Sequence, residues 1–396
     1  MRGLYTFGVR AYALGVKVAA CFGNAKAKLW VEGRKRPLPQ TEEDGAWVWF
    51  HAASLGEFEQ GRPLIEALKQ RYPQLKVALT FFSPSGFEVR KDYALADEVL
   101  YLPIDTMKNA RMWVKRHRFV AAFFIKYEFW FNYMKALADQ RVPLYYISLI
   151  LKPNQYFFRW YGGWFRKQLQ HVTHFFVQDE TTQDLLQSFG NVTLCGDTRF
   201  DRVAAIAKTA KRFPEIEKFI NGRKCIIAGS TWPPDEKLLI PYLESLPEDY
   251  CMIIAPHDIS EKHLKQIREV LNGIDSGKVH LIDTVGILSQ LYQYARFVYI
   301  GGGFGVNIHN IQEPVTFGCP VVFGPKYKSF KEAVDLVGLN GAFTINNQTE
   351  LDQVFDRLIN DETLYKQASE TCRKYLDSQL GATEAILQEI TSTFSF

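Results

Sequence analysis

Glu57 is the acidic residue best placed to take part in chemistry. The apolar run Trp47–His51 predicts a β-strand, a small-residue turn follows it, and a helix is predicted from Phe58 to Tyr72. In open α/β sheets, ligands and reacting groups collect at the carboxyl ends of strands. Glu57 is therefore placed like a catalytic acid or base. The alternative is that Glu57 only complements the dipole of the helix that follows it.

A second carboxylate, Glu128, follows another predicted strand, Val120–Ile125, among aromatic residues that include Tyr127 and Trp130. A buried carboxyl group in such surroundings could act as another catalytic group or bind a sugar hydroxyl. The alternative is an interface patch with an acid that caps a helix.

Two turns in the second half have residue types suited to a nucleotide. Ser230 and Thr231 follow Gly229, so hydroxyls and a helix N-terminus are available to a phosphate. The alternative is a simple N-cap before Pro233. His257 lies just past a strand and could contact a phosphate or a base, although a single histidine is more often structural.

A third turn carries four glycines within the five residues from Gly301 to Gly305. Glycines here, Gly302 and Gly303 among them, are expected to free backbone N–H groups for an anion. His309, Asn310 and Glu313 then fall at an apparent helix start, where a carboxylate can reach a ribose diol. The spacing is not GxGxxG within a first βα unit, which argues against a nicotinamide cofactor.

The elements that must position these residues alternate between short apolar runs and helical patterns. Continuous Val, Ile and Phe runs predict parallel strands buried on both faces, and two such series predict two doubly wound domains that face each other across a ligand cleft. A charged helical stretch, Arg202–Phe219, separates the series, and Leu351–Gln388 is predicted to be helical. The predicted strands are Trp47–His51, Val77–Phe82, Val99–Leu102, Val120–Ile125, Leu144–Ile147, Phe175–Val177, Val192–Leu194, Cys225–Ala228, Cys251–Ala255, Val279–Ile282, Phe297–Ile300, Val321–Phe323 and Phe343–Ile345.

Composition narrows the class of protein. The chain has 396 residues, 47% hydrophobic and 23% charged, which indicates a globular protein of two domains. The net charge of +4 argues against a dedicated nucleic-acid binder. Six scattered cysteines without a CxxC pair indicate free thiols in a reducing compartment and no zinc site. No Asp-x-Asp sequence is present to hold a bridging divalent metal, and no cofactor is expected.

The N-terminal segment predicts contact with a membrane. The apolar stretch Leu4–Phe22 contains Arg10 and Lys17, seven residues apart and hence on one helical face. This favours an amphipathic helix in the membrane interface over a spanning one. A soluble surface helix is the alternative, and the lipoprotein-like box that ends at Cys21 is disfavoured because Lys17 interrupts its apolar stretch. Basic residues suited to an anionic cytoplasmic leaflet follow at Lys26, Lys28, Arg34, Lys35 and Arg36.

Several segments, in their order along the chain, carry a resemblance to a known family. They are His51–Glu57, Thr80–Gly86, Tyr101–Asp105, Glu128–Asn132, Gly196–Asp201, Gly229–Thr231, Pro256–His257 and His309–Pro314. Together they resemble the Kdo transferases, which move 3-deoxy-D-manno-octulosonic acid (Kdo) from CMP-Kdo to the lipid A precursor. The resemblance implies a GT-B fold, an inverting transfer without a metal, and a place on the cytoplasmic face of the inner membrane.

The resemblance also implies roles for individual residues. Glu57 matches the catalytic base and Glu128 a second essential carboxylate. Arg199 supplies a cation for the departing phosphate. The expected substrate-binding positions are Ser54, Gly56, Arg199, Ser230, Thr231, His257, Gly302, Gly303, His309, Asn310 and Glu313.

The chain departs from the family pattern at several positions. Lys126 stands where the family has an acid, and Trp232 stands where it has a histidine. An arginine between Pro256 and His257 is missing. Asn307-Ile308 replaces two glycines, and Ser329 replaces an asparagine. These changes affect individual donor contacts more than the reaction.

The expected organisation is a membrane-associating helix at 1–30, an acceptor-binding domain at 31–208 and a CMP-sugar-binding domain at 209–396. Two alternatives remain open at this point. One is a UDP-sugar epimerase of the same architecture, which needs no segment that faces lipid. The other is a non-catalytic lipid- or polysaccharide-binding relative.

Overall fold

Thirteen strands form two parallel sheets in the computed structural model, which describes residues 1–35 and 45–394. The chain divides into two units. The first unit comprises residues 1–201 together with the C-terminal segment from Gly381, and the second unit comprises Arg202–Leu380. All thirteen predicted strands are confirmed to within a few residues at their ends, because each is an apolar run bounded by polar or turn residues.

The first unit contains a seven-stranded sheet in the order β3-β2-β1-β4-β5-β6-β7, with every neighbouring pair parallel. The order reverses between β1 and β4, which is the kind of position where ligands bind in doubly wound sheets. The strands are β1 (Trp47–Ala52), β2 (Lys76–Phe81), β3 (Glu98–Tyr101), β4 (Phe119–Ile125), β5 (Leu144–Leu149), β6 (His174–Val177) and β7 (Asn191–Leu194).

The helices of the first unit follow the strands in alternation, after two that precede the sheet. They are α1 (Arg2–Cys21), α2 (Ala25–Gly33), α3 (Leu55–Arg71), α4 (Pro84–Arg90), α5 (Met107–Val114), α6 (Phe131–Asp139), α7 (Gly163–Leu169), α8 (Glu180–Leu186) and α9 (Arg199–Lys208). The boundary between the two units, after Asp201, lies within α9. Two 3-10 turns lie at Tyr156–Phe158 and Trp160–Gly162.

Alternation along β1 builds the core on both faces of this sheet. Trp47 and Trp49 pack in one buried cluster, whereas Val48, Phe50 and Ala52 pack in the other. Successive side chains of a strand point to opposite faces, so a continuous apolar run fills both.

The second unit contains a six-stranded parallel sheet in the order β10-β9-β8-β11-β12-β13. Its strands are β8 (Lys224–Thr231), β9 (Tyr250–Pro256), β10 (Val279–Leu281), β11 (Ala295–Ile300), β12 (Val321–Phe323) and β13 (Ala342–Thr344). Its helices are α10 (Pro214–Ile220), α11 (Pro233–Ser245), α12 (Glu261–Leu271), α13 (Leu288–Leu291), α14 (Gln312–Thr316), α15 (Lys331–Gly338), α16 (Gln348–Asn360) and α17 (Glu362–Gln379), with a 3-10 turn at Tyr292–Tyr294.

The C-terminal segment departs from the predicted domain boundaries. The chain turns at Gly381, which has a φ of +98° and follows the end of α17. The next elements, α18 (Ala382–Ile390) and a 3-10 turn (Thr391–Phe394), belong to the first unit. Ile386, Ile390 and Phe394 are buried in the cluster that contains Phe50. Burial of this apolar stripe against the first sheet is the reason that the predicted second domain, 209–396, does not extend to the chain's end.

Two predicted helical stretches are each divided. Arg202–Phe219 contains the end of α9 and most of α10, since Pro214 begins a new helix at its first position. Leu351–Gln388 contains α16, α17 and α18, since Asp361 accepts a hydrogen bond from the N–H of Leu364 and so caps α17.

The N-terminal helix α1 is an integral part of the first unit, not a separate segment. Arg2 donates hydrogen bonds to the carbonyl of Phe131 (2.9 Å) and to Gln168 (2.6 Å), and Tyr5 donates one to Asp105 (2.6 Å). No helix within residues 1–35 and 45–394 is both long and apolar enough to cross a bilayer. Of the basic residues predicted to follow α1, Arg36 lies outside the described residues.

Candidate active site

Glu57 lies in the first turn of α3, directly after β1. Ser54 is the N-cap of this helix, and Glu57 is its third residue. The N–H of Ala53, the residue before the N-cap, donates a 2.5 Å hydrogen bond to Glu57 Oε2, so the carboxylate folds back over the start of its own helix. Gly56, between them, is exposed and has open space around it. The alternative interpretation, in which Glu57 interacts with the start of its own helix, therefore agrees with this hydrogen bond.

The electrostatic environment gives Glu57 a property that a simple cap would not have. Burial and the nearby Glu128 carboxylate raise the pKa of Glu57 to about 7. The N–H groups of Ala53 and Ser54 and the charge of Lys126 act in the opposite direction and are outweighed. Because an efficient general base has a pKa near the working pH, Glu57 is tuned for proton transfer near neutrality. The macrodipole of α3, which favours the ionised carboxylate, is therefore outweighed by burial and by the charge of Glu128.

Glu128 is held by a buried cluster of side chains at the ends of β1 and β4. His51 Nε2 lies 3.0 Å from Glu128 Oε2, and the indole N–H of Trp130 donates to the same oxygen at 2.7 Å. The indole N–H of Trp130 also lies 2.9 Å from His51 Nε2, and His51 Nδ1 lies 2.9 Å from the hydroxyl and 3.1 Å from the carbonyl oxygen of Thr80 on β2. Trp130 and His51 thus hold Glu128 in place.

A cavity of about 560 Å³ lies beside this cluster in the first unit. It is mainly apolar and aromatic, which is typical of sites for small molecules or acyl chains. Its walls are Tyr5, Gly8, Val9, Tyr12 and Ala13 of α1, Trp30 of α2, and Phe82, Ile104, Asp105, Glu128 and Trp130.

Polar groups also contribute to the cavity wall. The indole N–H of Trp30 is buried and has no hydrogen-bond partner among the described residues. Burial raises the pKa of Asp105 to about 6, although Tyr5 and the N–H groups of Asn132 and Tyr133 donate to it. The cavity wall therefore carries two carboxyl groups, those of Asp105 and Glu128, among its aromatic side chains.

Arg34 packs against the aromatic wall of the cavity. Its guanidinium stacks 3.8 Å from the ring centroid of Trp30 and donates to the carbonyls of Phe82 and Leu102. Burial lowers the pKa of Arg34 to about 9. The arginine thereby joins α2 to the ends of β2 and β3 and holds the aromatic wall in place.

Arg199 lies in the first unit and pairs with a carboxylate. Its Nε donates to Asp197 at 2.9 Å, and a second nitrogen donates at 2.5 Å. Burial alone would raise the pKa of Asp197, but the charge of Arg199 holds it below its ordinary value. The predicted phosphate contact of Arg199 stays a prediction, and the cation now has a bidentate partner.

In the second unit, Ser230 and Thr231 end strand β8 rather than starting a helix. Trp232 is the N-cap of α11, and two prolines fill the first helical positions. Ser230 has a φ of +53°, a strained value that marks an irregularity in pairing with β9. The Thr231 hydroxyl donates to Glu236 (3.0 Å), so it is occupied within the protein.

The glycine loop after β11 differs from the prediction in how its N–H groups are used. The N–H of Gly302 donates to Asp235 (2.9 Å), and those of Gly301 and Gly305 donate to backbone carbonyls. The N–H of Gly302 is therefore occupied by a carboxylate of the protein, and its predicted anion contact stays a prediction. Its φ of +92° explains the residue type. Gly303 is required by packing, because a Cβ there would lie 2.7 Å from the backbone of Gly324.

His257, directly after β9, and His309, in the loop after β11, lie close together. Their ring centroids are 4.3 Å apart, and the ring of Trp232 stacks 4.7 Å from that of His257. Burial and the neighbouring His257 lower the pKa of His309 to about 4. His309 is therefore neutral near pH 7.

Asn310 and Glu313 lie close to this group along the chain. Asn310 precedes α14, and its side chain accepts from the N–H of Gln312 (3.0 Å) and donates to Glu313 (3.3 Å). Glu313 is the second residue of α14, so the carboxylate does lie at a helix start as expected. His309 and Asn310 precede that helix instead of opening it.

Several residues with clear roles in this geometry were given none on the basis of sequence. His51, Trp130 and Asp105 lie within the segments of family resemblance, so that resemblance could have indicated them. Asp235 and Glu236 follow Pro233-Pro234 in a helix-start pattern, which predicts capping but not their contacts with other loops.

Sequence comparisons show that the chain is similar to 3-deoxy-D-manno-octulosonic acid transferases. A family model described as 3-deoxy-D-manno-octulosonic-acid transferase (kdotransferase) matches residues 23–202. The chain is 26% identical to a 3-deoxy-D-manno-octulosonic acid transferase of Aquifex aeolicus, covering 77% of this chain and 83% of the relative. A protein of the same description from Bordetella pertussis is 25% identical over 98% of both chains.

Solved structures show the fold. A UDP-GlcNAc 2-epimerase from Neisseria meningitidis bound to UDP-GlcNAc has a TM-score of 0.64 at 14% identity, covering 88% of this chain and 100% of that chain. A putative UDP-N-acetylglucosamine 2-epimerase from Listeria monocytogenes has a TM-score of 0.61 at 14% identity, covering 89% and 97%. At such identities only the architecture is shared, and it is the predicted GT-B class of two parallel α/β units.

Proposed function

We propose that this chain, which is similar in sequence to Kdo transferases, is a glycosyltransferase that transfers Kdo in lipopolysaccharide biosynthesis, from CMP-Kdo to the lipid A precursor lipid IVA. The observation that carries this proposal is Glu57, a carboxyl group whose pKa is raised to about 7 beside the anchored carboxylate of Glu128. That pair lies in the part of the chain that the family model matches.

In the proposed reaction, Glu57 accepts the proton of a hydroxyl group on the lipid acceptor. The acceptor oxygen forms a bond to the anomeric carbon of Kdo while the bond from that carbon to the phosphate oxygen of CMP breaks. One direct displacement inverts the configuration at the anomeric carbon. Glu128 accepts from Trp130 and contacts His51, and its charge contributes to the raised proton affinity of Glu57.

The cavity of the first unit supports a lipid acceptor. Its wall of aromatic and aliphatic side chains suits an acyl chain or a sugar face. The proposed transfer proceeds without a metal. Within the described residues, no three His, Cys, Asp or Glu side chains form a group that could hold a metal ion.

The outer face of α1 supports contact with the cytoplasmic face of the inner membrane. Leu4, Phe7, Leu14 and Val18 recur at helical spacing and are exposed, Phe7 to 69%. Phe22 continues this apolar stripe, and the basic residues of α2 follow. Such a stripe beside positive charge suits the interface of an anionic leaflet.

The transfer is tested by incubation of the purified protein with CMP-Kdo and lipid IVA, with products read by mass spectrometry. Addition of one or more Kdo masses is expected, and the Glu57→Gln variant should produce far less. A parallel incubation with UDP-GlcNAc tests the epimerase alternative. Absence of any Kdo adduct from the wild-type protein would refute the proposed function.

Membrane contact is tested separately by sedimentation with vesicles of phosphatidylethanolamine and phosphatidylglycerol. The wild-type protein should bind, and Phe7→Asp should reduce binding because it places a charge within the stripe. Glu32→Gln, an exposed change outside the stripe, is the matched control. Equal binding of Phe7→Asp and the wild type would contradict the membrane role of this face.

A further inference from the structure

Three rings form a compact group in the second unit. The indole N–H of Trp232 donates a hydrogen bond to His309 Nε2 at 3.0 Å, and the two rings are nearly parallel, at 15°. The ring of His257 stacks on both, with centroids 4.7 Å from Trp232 and 4.3 Å from His309. Trp232 and His309 thus form one flat, hydrogen-bonded pair that is covered by His257.

The chemistry of the indole determines where the imidazole proton lies. A tryptophan side chain can donate a hydrogen bond through Nε1 but cannot accept one there. His309 Nε2 must therefore be the acceptor, and the ring proton must be on Nδ1. The low pKa of His309, caused by burial and then by His257, agrees with a neutral ring that carries this single proton.

Both partners are held from the backbone as well. The N–H of Trp232 donates to Asp235 (2.9 Å), and the same carboxylate accepts from the N–H of Gly302. The N–H of His309 donates to the carbonyl of Gly301 (3.1 Å). Asp235 thereby ties the turn that carries Trp232 to the loop that carries His309, so the pair is set by two connected segments.

We propose that Trp232 is a positioning residue that sets the tautomer of His309, so that the ring presents Nδ1–H as a hydrogen-bond donor to an oxygen of the sugar nucleotide. This inference rests on the proposed function and on the expectation from the sequence that the CMP-sugar binds in the second unit. The position of Trp232 is one where the resemblance places a histidine, which can either donate or accept. An indole can only donate, so in this chain the hydrogen bond always runs from Trp232 to His309.

The tautomer is measured directly by NMR of protein labelled with [15N]histidine, with the His309 signals identified by their loss in His309→Gln. In the wild type, His309 Nε2 should be unprotonated and Nδ1 protonated. Trp232→Phe keeps a ring to stack on His257 but lacks the N–H, so His309 should become a mixture of tautomers. Trp160→Phe, the same change at an exposed residue of the first unit, should leave the signals unchanged.

Calorimetric titration with CMP measures the consequence for binding. Loss of one oriented hydrogen bond should weaken CMP binding by Trp232→Phe by about fivefold to tenfold, with Trp160→Phe equal to the wild type. A wild-type His309 protonated at Nε2, or a Trp232→Phe variant with unchanged tautomer and affinity, would overturn the inference. Failure of the wild type to bind CMP would instead refute the nucleotide assignment of the proposed function, while the NMR result would still decide the role of Trp232.

Discussion

Replacement of Glu57 by glutamine should remove activity and, at alkaline pH, stabilise the protein. A carboxyl group with a raised pKa in the folded state binds its proton more tightly there than in the unfolded chain. Its contribution to stability therefore becomes unfavourable as pH rises from its ordinary pKa of 4.5 to the folded value of about 7. Glutamine mimics the protonated acid at every pH, so it escapes this penalty.

The magnitude follows from the two pKa values. At about 1.4 kcal/mol per pKa unit, the ionisable group costs about 1 kcal/mol of folding free energy at pH 5 and about 3 kcal/mol at pH 8. Glutamine resembles the protonated acid, and the raised pKa already includes the effect of the N–H groups of Ala53 and Ser54. Glu57→Gln should thus be more stable than the wild type by about 1 kcal/mol at pH 5 and by about 3 kcal/mol at pH 8.

The assay is urea denaturation at the two pH values, followed by tryptophan fluorescence. Seven of the eight tryptophans lie in the first unit, Trp232 being the exception, so the signal reports mainly on the unit that contains Glu57. Glu32→Gln, the same substitution at an exposed site, controls for the change of net charge.

Two results would refute the reasoning. If Glu57→Gln were destabilised equally at both pH values, Glu57 would be an ordinary ionised cap whose pKa is not raised. If it kept the Kdo transfer rate of the wild type, Glu57 would not be the base, whose loss should cost about a hundredfold or more.

Three further outcomes are expected. Glu128→Gln should move the acid limb of the pH profile of kcat/KM to lower pH, because removal of that charge lowers the pKa of Glu57; a move to higher pH would contradict the coupling. Gly8→Leu fills part of the cavity beside α1, where a Cβ meets open space, and should raise the KM for lipid IVA about tenfold without changing the KM for CMP-Kdo. Gly303→Ala should lower the melting temperature, at a cost of about 1–3 kcal/mol from the clash with the Gly324 backbone, whereas Gly305→Ala, with 3.4 Å of space, should resemble the wild type.

Sequence reasoning located the strands and the first carboxylate well. Each strand is a contiguous apolar run, and Glu57 follows the end of one such run, so neighbouring residues contain all the information needed. The N-terminal helix was also predicted, but its contacts through Arg2 and Tyr5 with distant parts of the first unit were not. Those bonds join residues about a hundred or more positions apart, as do the contacts that return the C-terminal helix to the first sheet.

The glycine loop shows what residue type alone does not determine. Gly302 and Gly303 were expected to present N–H groups to an anion, because glycines near a strand end often do so. In the structure, one N–H is bound by Asp235 and the other residue is small because Gly324 lies against it. Both reasons depend on segments that the loop meets only after folding.

The residue patterns alone therefore specified two parallel α/β units and an acid at the end of the first strand, since hydrophobic periodicity is a local property of the chain. Folding decided what that acid can do. Burial and the charge of Glu128 outweigh the helix N-terminus at Glu57, and His51 and Trp130 converge on Glu128 from separate segments. Desolvation and Coulomb energy depend on distances in space, which is why the chemistry of this carboxylate emerges only in the folded first unit.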